Sequence, residues 1–528
     1  MPPIRIGGIF FGWCLEQILS ENWNDGYVTE VAYTHGYYRE LSPSLQRFAL
    51  LCKGYASPAE GPYLELGFGQ GLSACIHSAA TACQVWGTDF NPTQAANARS
   101  LASAAGLDAK LFDDSFEQLL ERSDLPDFQF IGAHGIWTWV SHDVRRQIVE
   151  LLRRKLSVGG AAYLSYNTLP GWSASYSLRH LLTLQAEVMG TSEQGIVGRV
   201  ANSIEFAKDV ASKGAIYFKS NPMVTERLTK LAMYEKQYLA HEYFNRDWLP
   251  MHFAEFMDAV EPAKLEFAAS ANLLDHVDTI NLLPDAQEKL KSINHPGFKE
   301  SVRDYFVNQQ FRRDILLRGV SKLSLLEQRE ALMATSVALL KNPQDIKYKI
   351  AGVHEVSLQE EIYRPLVELF AVNKYRPHTL AELARHFPKL MWDQLLQAVM
   401  ILVGAGDMHP VQAEGVIKKA TPKVAALNRE ICKRARGSAE ISFLASPVIG
   451  AGVPLSRFEL IFLGAKYSGK SQPKAWVEVA WATLLSQGQK ILKEGKALDS
   501  AEENIAELEI YAEKFAARLP ILMALGVA

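Results

Sequence analysis

Seven consecutive residues, Glu65-Leu66-Gly67-Phe68-Gly69-Gln70-Gly71, form the strongest chemical signal in this sequence. Glycines between a strand and a helix permit a tight turn and let a ligand lie against bare backbone. The same kind of turn binds nicotinamide dinucleotides when it reads G-x-G-x-x-G, with the pyrophosphate at the helix N-terminus. Here the third glycine, Gly71, comes one place early, and Leu72 stands where the dinucleotide fingerprint has its last glycine. That spacing, with Glu65 two residues before Gly67, departs from the dinucleotide turn and favours a different nucleotide-like ligand.

An acid follows at the right distance. Asp89, in Trp86-Gly87-Thr88-Asp89-Phe90, ends the next apolar run, about 20 residues on, as one strand-helix-strand unit demands, and a carboxylate there can accept both ribose hydroxyl protons. Asp113-Asp114-Ser115-Phe116 follows the third run and offers a polar contact for an adenine edge and an apolar wall, although Asp114 could equally cap a helix. The fourth run ends at His134-Gly135-Ile136-Trp137-Thr138-Trp139, and the fifth at Tyr166-Asn167. His134 reads either as a ligand contact or as a satisfied structural histidine. The aromatics Trp137, Trp139, Tyr166 and Trp172 read either as an enclosure for the reacting group or as packing, and Asn167 as a substrate-side contact. Tyr37 and Tyr38 could cover the cofactor, and His35 and Glu40 could act as bases, with capping or surface roles as the plainer reading.

The elements that must position these residues alternate. Apolar runs at Tyr63 to Leu66, Gln84 to Thr88, Ala109 to Phe112, Phe128 to Ala133 and Ala161 to Tyr166 are separated by helical patterns, which predicts a doubly wound parallel sheet with ligands beyond the carboxyl ends of its strands. Before it, Trp23, Tyr27, Tyr33, Tyr37 and Tyr38 lead into a helical preface. After Trp172 helices dominate, over Tyr176 to Met189, Ile196 to Phe218 and Val224 to Tyr243. A mixed segment follows. The order of helices from Glu360, then Thr379 to Phe387, then Trp392 to Leu402, followed by Gly404-Ala405-Gly406-Asp407, suggests a winged helix.

At 528 residues the chain exceeds what one hydrophobic core supports. The expected division is a sheet domain at 1–175 with an N-terminal helical cap, a helical middle region at 176–240, a mixed domain at 241–345, a winged-helix-like domain at 346–415 and a helical C-terminal domain at 416–528. The net charge is -3, with 55 basic and 58 acidic residues, so no global field favours a polyphosphate partner. The apolar helix expected at Trp392 to Leu402 has no Lys or Arg to read DNA. Five cysteines lack any CxxC pairing, which suggests free thiols and a cytoplasmic setting. No metal-ligand spacing occurs, and Ser468-Gly469-Lys470-Ser471 lacks the upstream glycine of a triphosphate loop. The apolar segment Ile6 to Leu19 has neither the flank nor the cleavage site of a signal peptide, and no stretch is apolar enough to span a membrane.

These motifs carry a resemblance. Tyr33-Thr34-His35-Gly36-Tyr37-Tyr38-Arg39-Glu40-Leu41-Ser42-Pro43, the glycine loop, His134 to Ser141, Ser165-Tyr166-Asn167-Thr168-Leu169-Pro170-Gly171-Trp172, and His241-Glu242-Tyr243-Phe244-Asn245 through Pro250 are similar to class I methyltransferases that carry a methyltransferase regulatory domain. Among these the chain resembles the lysine methyltransferases that modify rickettsial outer-membrane proteins. The resemblance implies a Rossmann-like fold, S-adenosylmethionine as cofactor with S-adenosylhomocysteine as product, a protein substrate and a dimer. It implies cofactor contacts from Tyr37, Tyr38, Glu65, Gly67, Phe68, Gly69, Gly71, Asp89, Phe90, Asp114, Ser115, Phe116 and His134. The catalytic side falls to His134, Trp137, Trp139, Tyr166 and Asn167. Methylation of a small molecule, or a non-catalytic cofactor sensor, remains open on the same residues.

Overall fold

The computed structural model describes residues 35–352 and 355–528. The expected preface residues Trp23, Tyr27 and Tyr33, with Cys14 and the apolar segment Ile6 to Leu19, lie outside the described residues. The chain folds into two compact units, whose described residues are 174–248 in one and 35–173 with 249–528 in the other.

The larger unit is built on a seven-stranded sheet. Its strands are β1 (Tyr63–Leu66), β2 (Val85–Thr88), β3 (Lys110–Phe112), β4 (Phe128–Ala133), β5 (Leu156–Asn167), β6 (Leu265–Ser270) and β7 (Phe311–Arg318), in the spatial order β3-β2-β1-β4-β5-β7-β6. The first five are mutually parallel, at the places the alternating pattern predicts. Two strands escaped that pattern. β7 inserts antiparallel between β5 and β6, in register from Ala161 opposite Leu317 to Asn167 opposite Phe311. Its sequence, FRRDILLR, mixes charge with apolar residues, so periodicity alone did not mark it.

The strand order reverses between β1 and β4, which makes the ends of these two strands the topological switch point. Helices cover both faces. On one face lie α1 (Pro43–Cys52), α2 (Leu72–Ala80) and α3 (Pro92–Ala104); on the other, α4 (Phe116–Glu121) and α5 (His142–Lys155), joined by the helix Phe253–Val260. All nine residues of α2 are buried, because the helix Glu414–Arg434 packs across its outer side. One hydrophobic cluster therefore runs from Tyr37 through the sheet to Val527.

Within the segment 336–410, strands at Ser336–Leu339, His378–Thr379 and Met408–Pro410 form an antiparallel sheet beside helices Glu360–Val372, Leu380–His386 and Trp392–Gly404. The last of these turns Leu395, Val399, Leu402 and Val403 inward. The smaller unit is helical. The continuous helix expected over Ile196 to Phe218 breaks into Gly195–Ser212 and Ile216–Ser220, because Gly214 takes a left-handed φ of 87° that ends the first piece. The helix expected over Val224 to Tyr243 likewise divides into Pro222–Leu231 and Lys236–Tyr243. Among the described residues no helix is long and apolar enough to cross a membrane.

Candidate active site

The turn after β1 is held by its glycines. Gly67, Gly69 and Gly71 have φ values of 67°, 58° and 74°, the left-handed region that disfavours other L-residues. Two of them also need their missing Cβ. One added at Gly67 would come within 2.3 Å of Ile136 Cδ1, and one at Gly71 within 2.3 Å of Ala98 Cβ. Phe68 is buried against Gly87 of β2, so the turn is pinned between two strands.

Asp89, at the tip of β2, faces this turn. Its Oδ2 accepts from the Gly69 amide at 2.8 Å and its Oδ1 from the Asn91 amide at 3.0 Å. Gln94, one turn into α3, donates to both oxygens at 3.0 Å when its amide nitrogen faces them. Burial still outweighs the two backbone donors and pushes the Asp89 carboxyl up to about 7. Glu65 is buried on β1, with the Tyr63 hydroxyl donating to its Oε2 at 3.4 Å; burial, with a smaller contribution from the Asp89 charge, pushes it up to about 8.

After β3 the residues divide their labour differently from expectation. Ser115 caps α4, its hydroxyl accepting from the Gln118 amide at 3.2 Å while the Gln118 side chain accepts from Ser115 N at 2.8 Å, the reciprocal pairing of a capping box. Asp114 is not the cap; its carboxylate pairs with Arg122 at 3.1 Å and its carbonyl accepts the Thr88 hydroxyl. Phe116 leans on the hydrophobic cluster below the sheet, and Phe90 is half-buried at the end of β2.

At the tip of β4 the His134 ring stacks on Tyr38, with centroids 3.8 Å apart and planes 18° from parallel. Its Nδ1 lies 2.8 Å from the Tyr163 hydroxyl, and Phe311 of β7 meets its edge at 5.8 Å. Burial, with Arg313 nearby, holds the imidazole neutral by lowering it to about 3. Tyr163 is pushed well above the usual phenol range by burial. Beyond His134, Gly135 has a φ of 66° and its amide donates to Ser165 Oγ at 2.8 Å; a Cβ there would meet open space.

Three expected site aromatics lie elsewhere. Trp137 is fully buried on the opposite face, its indole N–H toward Met251 Sδ at 3.3 Å and its ring edge-to-face with Phe256 at 5.3 Å. Tyr166 stacks on the same Phe256 at 4.0 Å and donates to Asp314 Oδ2 at 2.8 Å. The reason is strand parity: along β5 Tyr163 faces the His134 side and Tyr166 the other. Both Trp137 and Tyr166 pack against Phe256 on that side. Tyr37 too is buried, wedged between His77 and Phe443 with its ring against Gly452. Asn167 is buried, its backbone N–H donating to the Thr138 hydroxyl at 2.8 Å, and Trp139 is half-buried in the turn Trp137–Trp139.

The face around His134 therefore gathers Tyr38, Glu40, Tyr163, Ser165, Phe311 and Arg313, of which sequence reasoning singled out only Tyr38 and Glu40. The alternating geometry of a strand, in which every second residue shares a face, marks Tyr163 and Ser165 once Asn167 is assigned to it. No local signal marks Phe311 or Arg313, since their strand is paired across a long insertion.

Comparison with known proteins bears on the family and the fold. A family model described as a methyltransferase domain matches residues 64–160, and one described as a predicted methyltransferase regulatory domain matches residues 235–318. An uncharacterized protein of Synechocystis is 40% identical over 516 residues, covering 96% of this chain and 99% of its own. The chain belongs to the class I S-adenosylmethionine-dependent methyltransferases with a methyltransferase regulatory domain. The fold of this methyltransferase is also similar to that of PKMT2 from Rickettsia typhi, solved in complex with AdoHcy, with a TM-score of 0.68 and 20% identity over 94% of this chain and 100% of the other. An uncharacterized protein of Rickettsia prowazekii is 29% identical over 252 residues, 45% of the methyltransferase and 42% of its own length. The cofactor is S-adenosylmethionine, and the residues at the switch point suit it: a left-handed glycine turn, a buried acid at the end of β2 and open space above Gly135.

Proposed function

We propose that this methyltransferase transfers methyl groups to lysine side chains of a protein, at the face of the sheet that carries His134. The observation that supports this reading most is the stack of Tyr38 on His134, backed by Tyr163 and edged by Phe311. Aromatic faces attract a cationic or methylated ammonium by about 0.5 to 2 kcal/mol. A lysine, with a reference pKa of about 10.4, must also lose its proton before it can attack, and a desolvated aromatic wall favours the neutral amine. The likeness in fold to PKMT2 of Rickettsia typhi is consistent with the same acceptor class.

When bound, S-adenosylmethionine supplies an electrophilic methyl group on a sulfonium, open to in-line attack. The protein's part is alignment and exclusion of water. In this reading Gly67, Phe68, Gly69 and Gly71 hold the cofactor against bare backbone, with Glu65 beneath them. Asp89 accepts the ribose hydroxyls, with Phe90 beside it. Asp114 and Phe116 border the adenine, while Ser115 shapes the helix there. Tyr38 and His134 close the methyl end, and Trp139 and Asn167 border the acceptor's approach. We read the segment 346–415 as winged-helix-like and as a packing module, since its last helix is apolar and turned inward. The four free cysteines among the described residues suit a cytoplasmic enzyme.

The test is to incubate the purified protein with methyl-tritiated S-adenosylmethionine and an extract of its own cells, then separate proteins from nucleic acids and small molecules. Label recovered as methylated lysine after hydrolysis of a protein band is the expected result. Label confined to small molecules would replace the protein acceptor by a metabolite.

A further inference from the structure

β7 carries two neighbouring arginines with opposite fates. Arg312 points to the far side of the sheet, where it is locked by Asp304 at 2.7 Å, Asp314 at 2.9 Å and Glu300 at 3.0 Å. Arg313, opposite Ser165 in the strand register, turns to the site face. There its guanidinium lies 5.0 Å over the Phe311 ring and 3.5 Å from Glu40 Oε1. Its Nε is buried without a hydrogen bond.

Glu40 is presented by the turn Arg39–Leu41, anchored by Arg39 donating to the carbonyls of Val403 and Gly404. Its side chain is 17% exposed and, among the described residues, has no nearer partner than Arg313. The other acids nearby are already satisfied. Asp275 accepts from Ser270 at 2.7 Å and from Asn272 at 2.8 Å, and Asp314 is held by Arg312 and Tyr166 on the far face. A carboxylate beside aromatic rings is the chemistry that a primary ammonium seeks. In the free protein the Arg313 guanidinium, itself about one-third exposed, fills that place, which spares a mostly buried carboxylate from standing unpaired.

We infer that Glu40 receives the acceptor amine as its ammonium while it docks, before the proton loss that attack requires, and that Arg313 is a placeholder which gives way to it. The assignment rests on the lysine reading above and adds its specificity determinant: a cation recognised by a residue of the N-terminal turn and gated by a strand of the regulatory segment.

The experiment is calorimetric titration of the full-length protein with n-butylamine, in the presence of S-adenosylhomocysteine, with n-butanol as the uncharged control. Wild type is expected to bind the amine and not the alcohol. E40Q should weaken amine binding at least tenfold, R313M should tighten it several-fold, and R313K should match wild type. Unchanged binding in E40Q, or weakened binding in R313M, would overturn the assignment, since a merely structural pair would be hurt alike by either loss. Each variant's affinity for S-adenosylhomocysteine and its melting temperature identify misfolding, and R313M and R313K keep the test open if E40Q fails to fold. The two readings fail separately. Methyl label outside lysine with amine binding intact retires the lysine acceptor and supports the amine site, whereas label in methyl-lysine with E40Q indifferent retires Glu40.

Discussion

Asp89 closes onto the backbone of Gly69 at 2.8 Å, so the acid at the end of β2 and the glycine turn at the end of β1 are one unit. Replacing Asp89 by Ala removes the acceptor proposed for the ribose and also a tie on the turn. S-adenosylmethionine affinity should fall by about 1 to 3 kcal/mol, measured by equilibrium titration.

The same acid predicts a pH dependence. Its carboxyl is raised to about 7 and that of Glu65 to about 8. A raised acid binds its proton more tightly in the folded protein than in the unfolded chain. Its stabilising contribution is therefore present at low pH and is lost as pH rises from the ordinary carboxyl range through the folded value. Hydroxyl donors prefer the ionised form, so cofactor affinity should rise as pH passes 7. Titration of Asp89→Asn should lack that step, while Glu65→Gln should lose only the part nearer 8.

Gly67→Ala sets a methyl group against Ile136 at 2.3 Å and forces a left-handed residue. The backbone conformation alone costs about 1 to 2 kcal/mol. The variant should melt earlier and bind S-adenosylhomocysteine more weakly. Adding Ile136→Ala should recover only the part due to the clash, as a thermal melt of the double variant would reveal.

Trp137 and Tyr38 should separate core from site. Trp137→Ala leaves a cavity against Phe256 and should cost about 3 to 5 kcal/mol of folding stability. The folded fraction should still bind S-adenosylhomocysteine. Tyr38→Ala, which uncovers the His134 ring, should change the melting temperature less and methyl transfer more. The comparison needs chemical denaturation and a turnover assay on both variants.

Arg312→Met strands Asp304 and Asp314 in the interior and should destabilise the fold by about 3 to 5 kcal/mol. Burial already pushes the Asp304 carboxyl up to about 7 and raises that of Asp314, and without the guanidinium both acids should shift higher. The deficit should therefore be larger at pH 8 than at pH 5, as urea melts at the two pH values would record.

The parallel half of the sheet was legible because each of its strands is a compact apolar run followed by a helix, and because Gly67 to Gly71 and Asp89 sit at fixed offsets from those runs. β6 and β7 were not legible: they lie beyond a helical insertion, and β7 carries Arg312, Arg313 and Asp314 in mid-strand, a pattern that reads as surface until each charge has its partner. The sequence left the aromatics with two readings, enclosure or packing. Trp137 and Tyr166 stand close in sequence to residues of the site face, but Tyr166 alternates away from Tyr163 and Ser165 along β5, Trp137 turns under the sheet in the turn after β4, and their packing against Phe256 becomes visible only in three dimensions. Ser115 rather than Asp114 caps α4 because Ser115, with Gln118 three residues on, completes the capping box.

The placement of β7 bears on how the molecule is made. β5 bonds to β4 along one edge, and its other edge waits for a strand that ends at Arg318, after the whole helical insertion has been synthesised. A nascent chain emerging from the ribosome thus carries an unpaired, largely apolar strand edge, the kind of template on which other chains aggregate. The sheet is completed only when β7, within the regulatory segment, arrives, so production of the enzyme should depend on chaperone supply, and a fragment stopping at the end of β5 should aggregate.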